Sequence, residues 1–190
     1  MSSILKVDQI QLSNGNTPTA GDLGLNTTGS VLQVKNTVKK DTFSSSSNFL
    51  VDITGLSVTI TPSSTSSKVL ISADVHYSGD SQVDSVTLSL GKNGSAMNSF
   101  IADAAGNRPR GAMHGFSGDG AATVTNNEMY HSSVEVLDSP ATTSPVTYSV
   151  MMRTANGTTT QHINRTMEDR NTAGFDSRVI STITAMEIAG

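Results

Sequence analysis

The 190-residue chain contains no cysteine, so neither a disulfide nor a thiolate metal site is available to hold it together. Its folding does not require an oxidising compartment. Basic charge is also scarce. The 12 Lys and Arg residues are scattered along the chain against 16 Asp and Glu, for a net charge of −4. Such a balance argues against a nucleic-acid partner, which calls for clustered cations that displace counterions. No run approaches the ~18 consecutive apolar residues of a membrane-spanning helix, so no membrane insertion is expected. The opening Met1-Ser2-Ser3-Ile4-Leu5-Lys6-Val7-Asp8 lacks the basic region and apolar run of a secretion signal. Heptads are missing, and no segment keeps apolar residues three and four apart for more than two turns, which speaks against a coiled-coil shaft in this chain.

What remains is β-forming. Hydrophobic residues make up 35% and charged residues 15%, and Ser, Thr, Asn and Gly fill the difference. Disorder would need high net charge or few β-branched residues, whereas Val, Ile and Thr are plentiful here. A modest core per chain is expected, supplemented by contacts between subunits.

Residues 52–75 carry the clearest pattern. Val58 and Ile60 fall on one face of a first strand, and Val69, Ile71, Ala73, Val75 and Tyr77 on one face of a second. Alternation sustained over nine residues marks a half-buried strand, because successive side chains point to opposite faces. Val86, Leu88 and Leu90 alternate in the same way, as do Val146, Tyr148, Val150 and Met152. Strands are expected at 49–53, 56–61, 68–77, 84–91, 97–102, 110–116, 129–137, 146–153, 158–164 and 178–188, with Ser/Thr loops at 44–47 and 61–67. Gly91-Lys92-Asn93-Gly94 and Asn156-Gly157 read as the strongest hairpin turns. Residues 103–127 read as a long exposed loop. About ten short strands without helices suit two packed antiparallel sheets of jelly-roll type.

The first 35 or so residues differ from the rest. Ile4 to Leu12 reads as one strand, Asn14-Gly15-Asn16 as a turn, and Thr17 to Ser30 as a Gly-, Thr- and Asn-rich stretch whose three glycines disfavour a helix. This segment is either an extended arm or an edge strand of the main domain. As an arm, ten residues reach up to ~33–36 Å. The expected division is an arm over 1–37 and a β-sandwich head over 38–190.

Motifs for chemistry are weak. Gly115-Phe116-Ser117-Gly118-Asp119-Gly120 approaches a nucleophile elbow, but Asp119 displaces the last glycine and no strand-to-helix turn is expected. His76, His114, His131 and His162 form no His-x-His or His-Glu-x-x-His pair, so local spacing offers no metal site, although one histidine per chain meeting on a trimer axis would. Asp80, Asp84 and Asp119 lie in Gly/Ser loops without a calcium-binding ligand ladder. Gly91-Lys92-Asn93-Gly94-Ser95 lacks the spacing of a phosphate loop. Asn26, Asn93, Asn156 and Asn164 each fit N-x-[ST], a triplet common by chance in such a chain. Arg153, Arg165, Arg170 and Arg178, with Glu168 and Asp169, form either an interface ion-pair set or a solvated face. Met151, Met152, Met167 and Met186 read as packing residues. For a glycosidase, Asp103, Asp119, Glu128, Glu135 and Asp138 are available, but no pair stands out.

Three segments carry a family likeness. Ser2 to Ile10 with Thr19 to Gly24, Thr54 to Pro62 through Ser67 to Ile71, and the closing Ser177 to Ile188 resemble segments of tail-fibre and other virion structural proteins of marine tailed phages, of cyanophage and pelagiphage type. The resemblance implies a non-enzymatic virion protein with no cofactor, a homotrimer assembled in the host bacterial cytoplasm and exposed on the particle surface. An N-terminal arm (Ile4, Leu5, Val7, Ile10, Leu12) would dock on other virion proteins, and a β-sandwich head would project. Loops at 78–84, 92–96 and 103–127, including Asp80, Asn93, Asn107, Arg108, Arg110, Phe116 and Asp119, would face a host polysaccharide or protein receptor. The alternatives are a capsid or tail decoration (cement) protein without receptor binding and, from another class, a capsule-degrading glycosidase.

Overall fold

The period-two segments become strands of two antiparallel sheets packed face to face in the computed structural model, which describes residues 9–19, 21–24, 28–79, 85–116 and 127–190. The first sheet holds β1 (Val31–Lys39), β2 (Phe43–Ser45), β4 (Lys68–Gly79), β8 (Tyr130–Asp138), β10 (Gln161–Ile163) and β11 (Ser181–Ile188). The second holds β3 (Val51–Ile60), β5 (Ser85–Lys92), β6 (Ser95–Ala96), β7 (Met113–Phe116) and β9 (Val146–Thr154). The described residues contain no α-helix, only one 3-10 turn at Asn98–Phe100.

The faces match the alternation. Val69, Ile71, Ala73, Val75 and Tyr77 of β4 are buried against Val86, Leu88 and Leu90 of β5, Val146, Tyr148, Val150 and Met152 of β9, and Val58 and Ile60 of β3. The outward residues of β4 and β11 are partly exposed, as period two requires.

Several expectations need correcting. The loop expected at 44–47 begins inside β2, because Ser44 and Ser45 pair with His162 and Gln161 of β10. Residues 31–37, expected in the arm, belong to β1, which pairs with β11 from Val31↔Ile188 to Lys39↔Ser181. The runs 49–53 and 56–61 are one strand, β3, whose register shifts between Asp52 and Ser57; the shift takes up Gly55, whose φ of 81° suits glycine. Residues 97–102 hold the 3-10 turn instead of a strand. Asn156-Gly157 is not a hairpin, because β9 and β10 lie in different sheets; the Asn156 Oδ1 accepts from the Thr158 amide and closes a local turn. The other turn is as expected: Asn93 and Gly94, with φ of 50° and 79°, join β5 to β6.

Three strand rows are interrupted. β10 and β11 both pair with the same edge of β4, at Tyr77–Gly79 and Lys68–Asp74, so they lie in line with residues 164–180 looping out between them. β1 and β2 are likewise in line, since β1 pairs with β11 and β2 with β10. On the second sheet β6 and β7 share one edge of β5, and residues 97–112 loop out between them.

Asn164 closes the gap where two of these breaks meet. It is fully buried with φ of 64°, a left-handed conformation that asparagine tolerates better than most residues. Its Nδ2 donates to the carbonyls of Lys39 and Asp41 at 2.9 and 3.0 Å, in the break between β1 and β2. Its Oδ1 accepts from Ser181 Oγ at 2.6 Å, and that hydroxyl accepts from the His76 amide of β4. Its own amide donates to His76 O, and its carbonyl accepts from the Val179 amide. Every polar group of the residue is used.

At the opposite end of the first sheet, Glu187 is fully buried. It accepts from Gln33 Nε2, the Ser63 amide and hydroxyl, and the Ser67 hydroxyl, all at 2.6–2.7 Å. Burial opposes its ionisation, but these hydrogen bonds outweigh burial and bring its pKa from 4.5 down to about 2. Links between the sheets complete the sandwich. Lys39 Nζ donates to Thr54 O and Gln33 Nε2 to Thr61 O along one side. Along the other, Asp138 accepts from Lys92 Nζ and from the Tyr148 hydroxyl, and burial followed by that bond raises the phenol's pKa.

Two predictions follow from these buried groups. Asn164→Ala is expected to cost about 2–4 kcal/mol in chemical denaturation, by orphaning two buried carbonyls and a hydroxyl. Asn107→Ala, at an exposed position, should shift stability by less than about 0.5 kcal/mol. For Glu187 the folded pKa lies below the unfolded one, so its contribution is complete above about pH 4.5 and is lost as the pH falls toward 2. Urea unfolding across that interval should show a loss on the order of 3 kcal/mol in the natural chain, absent from Glu187→Gln.

Candidate interaction surface

The strand directions sort the loops into two ends. Ser30, where β1 begins, Ala189, where β11 stops, the turn 62–67, the Asn93-Gly94 turn and the loop 139–145 share one end. Segments 46–50 and 155–160 share the other, joined by the Thr154 amide donating to Ser47 O. Phe49 there is 77% exposed.

The expected receptor-facing residues do not form one surface. Asn93 lies at the Ser30 end, where its Oδ1 accepts from the Thr147 amide and so shapes the turn. Asn107, Arg108 and Arg110 sit on the 97–112 excursion, partway along the edge of β5; Arg108 and Arg110 donate to Ala105 O and Ala102 O of that same loop. Phe116 ends β7, where Ser85↔Phe116 pairing places it away from the Asn93 turn. Asp80 and Asp119 lie outside the described residues, as do Ile4, Leu5 and Val7 of the expected docking arm. Ile10 and Leu12 are described; Ile10 is exposed, residues 9–12 are not strand, and Leu12 brackets the expected turn through bonds with Gly15 and Asn16.

The 164–180 excursion gathers the charges near the C-terminus. Arg170 Nε donates to Asp176 at 2.6 Å and its Nη1 reaches Glu168 at 3.0 Å, while Arg178 grips both oxygens of Asp169 at 2.8 and 2.5 Å. Thr166 Oγ1 donates to Asp176 at 2.5 Å, and the Arg165 guanidinium donates to the carbonyls of Thr166 and Met167. Thr166 first, and Arg170 second, hold the Asp176 carboxyl below its usual range; Arg178 does the same for Asp169. The Arg170 guanidinium also lies 5.7 Å from the centre of the Phe175 ring, which is 62% exposed. Of the two sequence readings, the solvated face fits: the pairs close within the loop, and the Arg170 and Arg178 side chains are exposed. The excursion is thus an ordered knob anchored at its root by buried Asn164, and a cavity of about 390 Å³ lies among Asp169, Arg170, Asn171, Asp176, Ser177 and Arg178.

No protein-family model and no curated protein matches this chain.

Two further features escaped sequence reasoning. Register across the first sheet lines up Val34, Met186, Leu70 and Leu137 as one apolar row on its outer face, with Val34 53% and Leu137 44% exposed. Register also places His76 directly opposite His131, beside Asp74. Neither was visible without knowing which strands pair. Of the carboxylates weighed for glycoside hydrolysis, Asp138 is buried and engaged by Lys92 and Tyr148, and Glu135 lies on the outer face of β8.

Because the ion pairs of the excursion are solvent-exposed, Arg178→Ala should change unfolding free energy by less than about 1 kcal/mol by denaturant titration. A larger loss would show that the knob helps to hold the sandwich.

Proposed function

We propose that this chain is a non-enzymatic structural component of a tailed-phage virion that associates with copies of itself and presents its sandwich to a host surface. The observation that carries the reading is the apolar row Val34–Met186–Leu70–Leu137, which crosses four adjacent strands on the outer face, with Val31 and Val38 of β1 also exposed there. A continuous exposed apolar band on a sheet marks an interaction site. A second copy is the occupant of choice, because each chain has a small core and symmetry closes such contacts without leaving a sticky edge. The resemblance of the chain's segments to phage fibre proteins supports the same reading.

The segment preceding Ser30 leaves from one end of the sandwich, which suits docking there on other virion proteins. On that reading Asn93 belongs to the docking side. Recognition falls to the opposite end and its neighbourhood: Phe49, the 155–160 loop, and the 164–180 knob with its exposed Phe175. Polar side chains with isolated aromatics favour shallow contacts with a polysaccharide or protein.

Light scattering on the purified chain tests the self-association. The natural chain should run as an oligomer, and Val34→Glu combined with Leu137→Glu should run as a single folded subunit by circular dichroism. A monomeric natural chain would sink the reading. Labelling of intact particles with antibody against the chain tests the placement: signal on the virion is expected, and its absence refutes a virion role. Particles that carry the chain yet adsorb normally without Phe49 and Phe175 would point to the decoration role.

A further inference from the structure

We propose that Asp74, His76 and His131 form a binding site for one divalent transition-metal cation, of the zinc, nickel or copper class, on the outer face of the first sheet. The three residues come from paired strands. His76 of β4 stands opposite His131 of β8, and Asp74 precedes His76 by two positions, which puts it on the same face.

The three side chains lie near the spacing of a metal-ligand set. Asp74 Oδ2 lies 2.9 Å from His131 Nε2, and Asp74 Oδ1 lies 3.7 Å from His76 Nδ1, so each oxygen faces a different ring. The rings themselves are 5.0 Å apart at 38°. One ligand atom from each residue falls within 4.8 Å of the other two. Ligand atoms around a tetrahedral ion, at bonds of ~2.0–2.1 Å, are separated by about 3.3 Å. The 3.7 Å is to His76 Nδ1, so it is rotation of the side chains, the His76 ring above all, that would bring its Nε2 and the other two ligand atoms to bonding distance with both strands in place.

The donor chemistry selects the cation class. Imidazole nitrogen favours zinc, nickel and copper, whereas calcium and magnesium take oxygen ligands. His76 Nδ1 lies 2.9 Å from the carbonyl of Ile180, an acceptor only, so this nitrogen carries the proton and Nε2 the lone pair. A backbone carbonyl behind a histidine is the usual support for a metal ligand. At His131 the proton shared with Asp74 yields its place to the cation, and the neutral ring then carries its proton on Nδ1. Two neutral imidazoles and one carboxylate leave a net charge of +1 on the loaded site. Solvent reaches all three side chains and fills the remaining coordination positions.

Position gives the site a consequence. Among the described residues β8 pairs with β4 alone, and Ile180 is the last residue of the excursion before β11. A bound ion would tie an edge strand, a central strand and the root of the knob to one point.

The untagged full chain, titrated with Zn2+ by calorimetry and with Co2+ by visible absorption, tests the site. One ion per chain is expected, with a Tm that rises with metal concentration. His76→Ala, His131→Ala and Asp74→Asn should each weaken binding at least about tenfold, and His114→Ala should leave it unchanged. Circular dichroism and Tm without metal verify that each variant is folded; should His76→Ala fail, His131→Gln on the edge strand carries the same comparison. Absence of saturable binding to the natural chain, or binding that survives the combined loss of both histidines, would overturn the proposal.

Discussion

The side chain of Asn164 supplies hydrogen bonds where two neighbouring strand rows of the first sheet lose their own. Where β1 gives way to β2, backbone carbonyls at Lys39 and Asp41 turn inward with no partner strand to meet them. Where β10 gives way to β11, the next row has nothing to offer in return. A buried carbonyl left unpaired costs on the order of 1–3 kcal/mol, so two adjacent breaks in a dry sheet could not persist unaided. One amide, with two donors and an acceptor, satisfies both breaks and reaches β4 through Ser181. The first sheet depends on that residue for its continuity, and the knob depends on it for its root.

A second constraint operates at the Ser30 end, with the opposite electrostatics. Glu187 remains ionised in a buried setting because four donors converge on it from β1 and from the Ser-rich turn after β3. A lone charge is ordinarily expensive to bury, and hydrogen bonds to the charged form are the remedy available in a chain with few cations. The turn 62–67 looks like filler by composition. Its serines instead form a cage that fixes the C-terminal strand against the start of the next one.

Much of the sandwich was legible because alternation is a local property. Val69 to Tyr77 and Val146 to Met152 carried their burial in their spacing, and Asn93-Gly94 carried its turn in its residue types. What escaped is what depends on register. β1 reads as polar and irregular, with Gln33 and Lys39 pointing inward, so its valines fall on the outside. Asn164 stood out only as part of a common triplet, since its value lies in carbonyls 123 and 125 positions away in sequence. His76 and His131 are far apart in the chain and become neighbours only through β4–β8 pairing. Residues 97–102 have strand-like composition, but the edge of β5 they would cover is left by Asn98 and rejoined near Ala112.

The interrupted row of β10 and β11 has a consequence for how such a protein can change. Because the row resumes its line after the excursion, the sheet registers the two departure points, Ile163 with Asn164 on one side and Ser181 on the other. The root of the loop is still tied to the sheet, through buried Thr166, the Arg165 carbonyl that accepts from Ser78, and the Val179 amide that donates to Asn164, but the tip, residues 170–175, is exposed. Substitution, lengthening or replacement within that tip therefore leaves the frame of β11 untouched. Sequence diversity can accumulate there at little structural expense, as it does in the variable loops of any scaffold whose job is to keep meeting new surfaces.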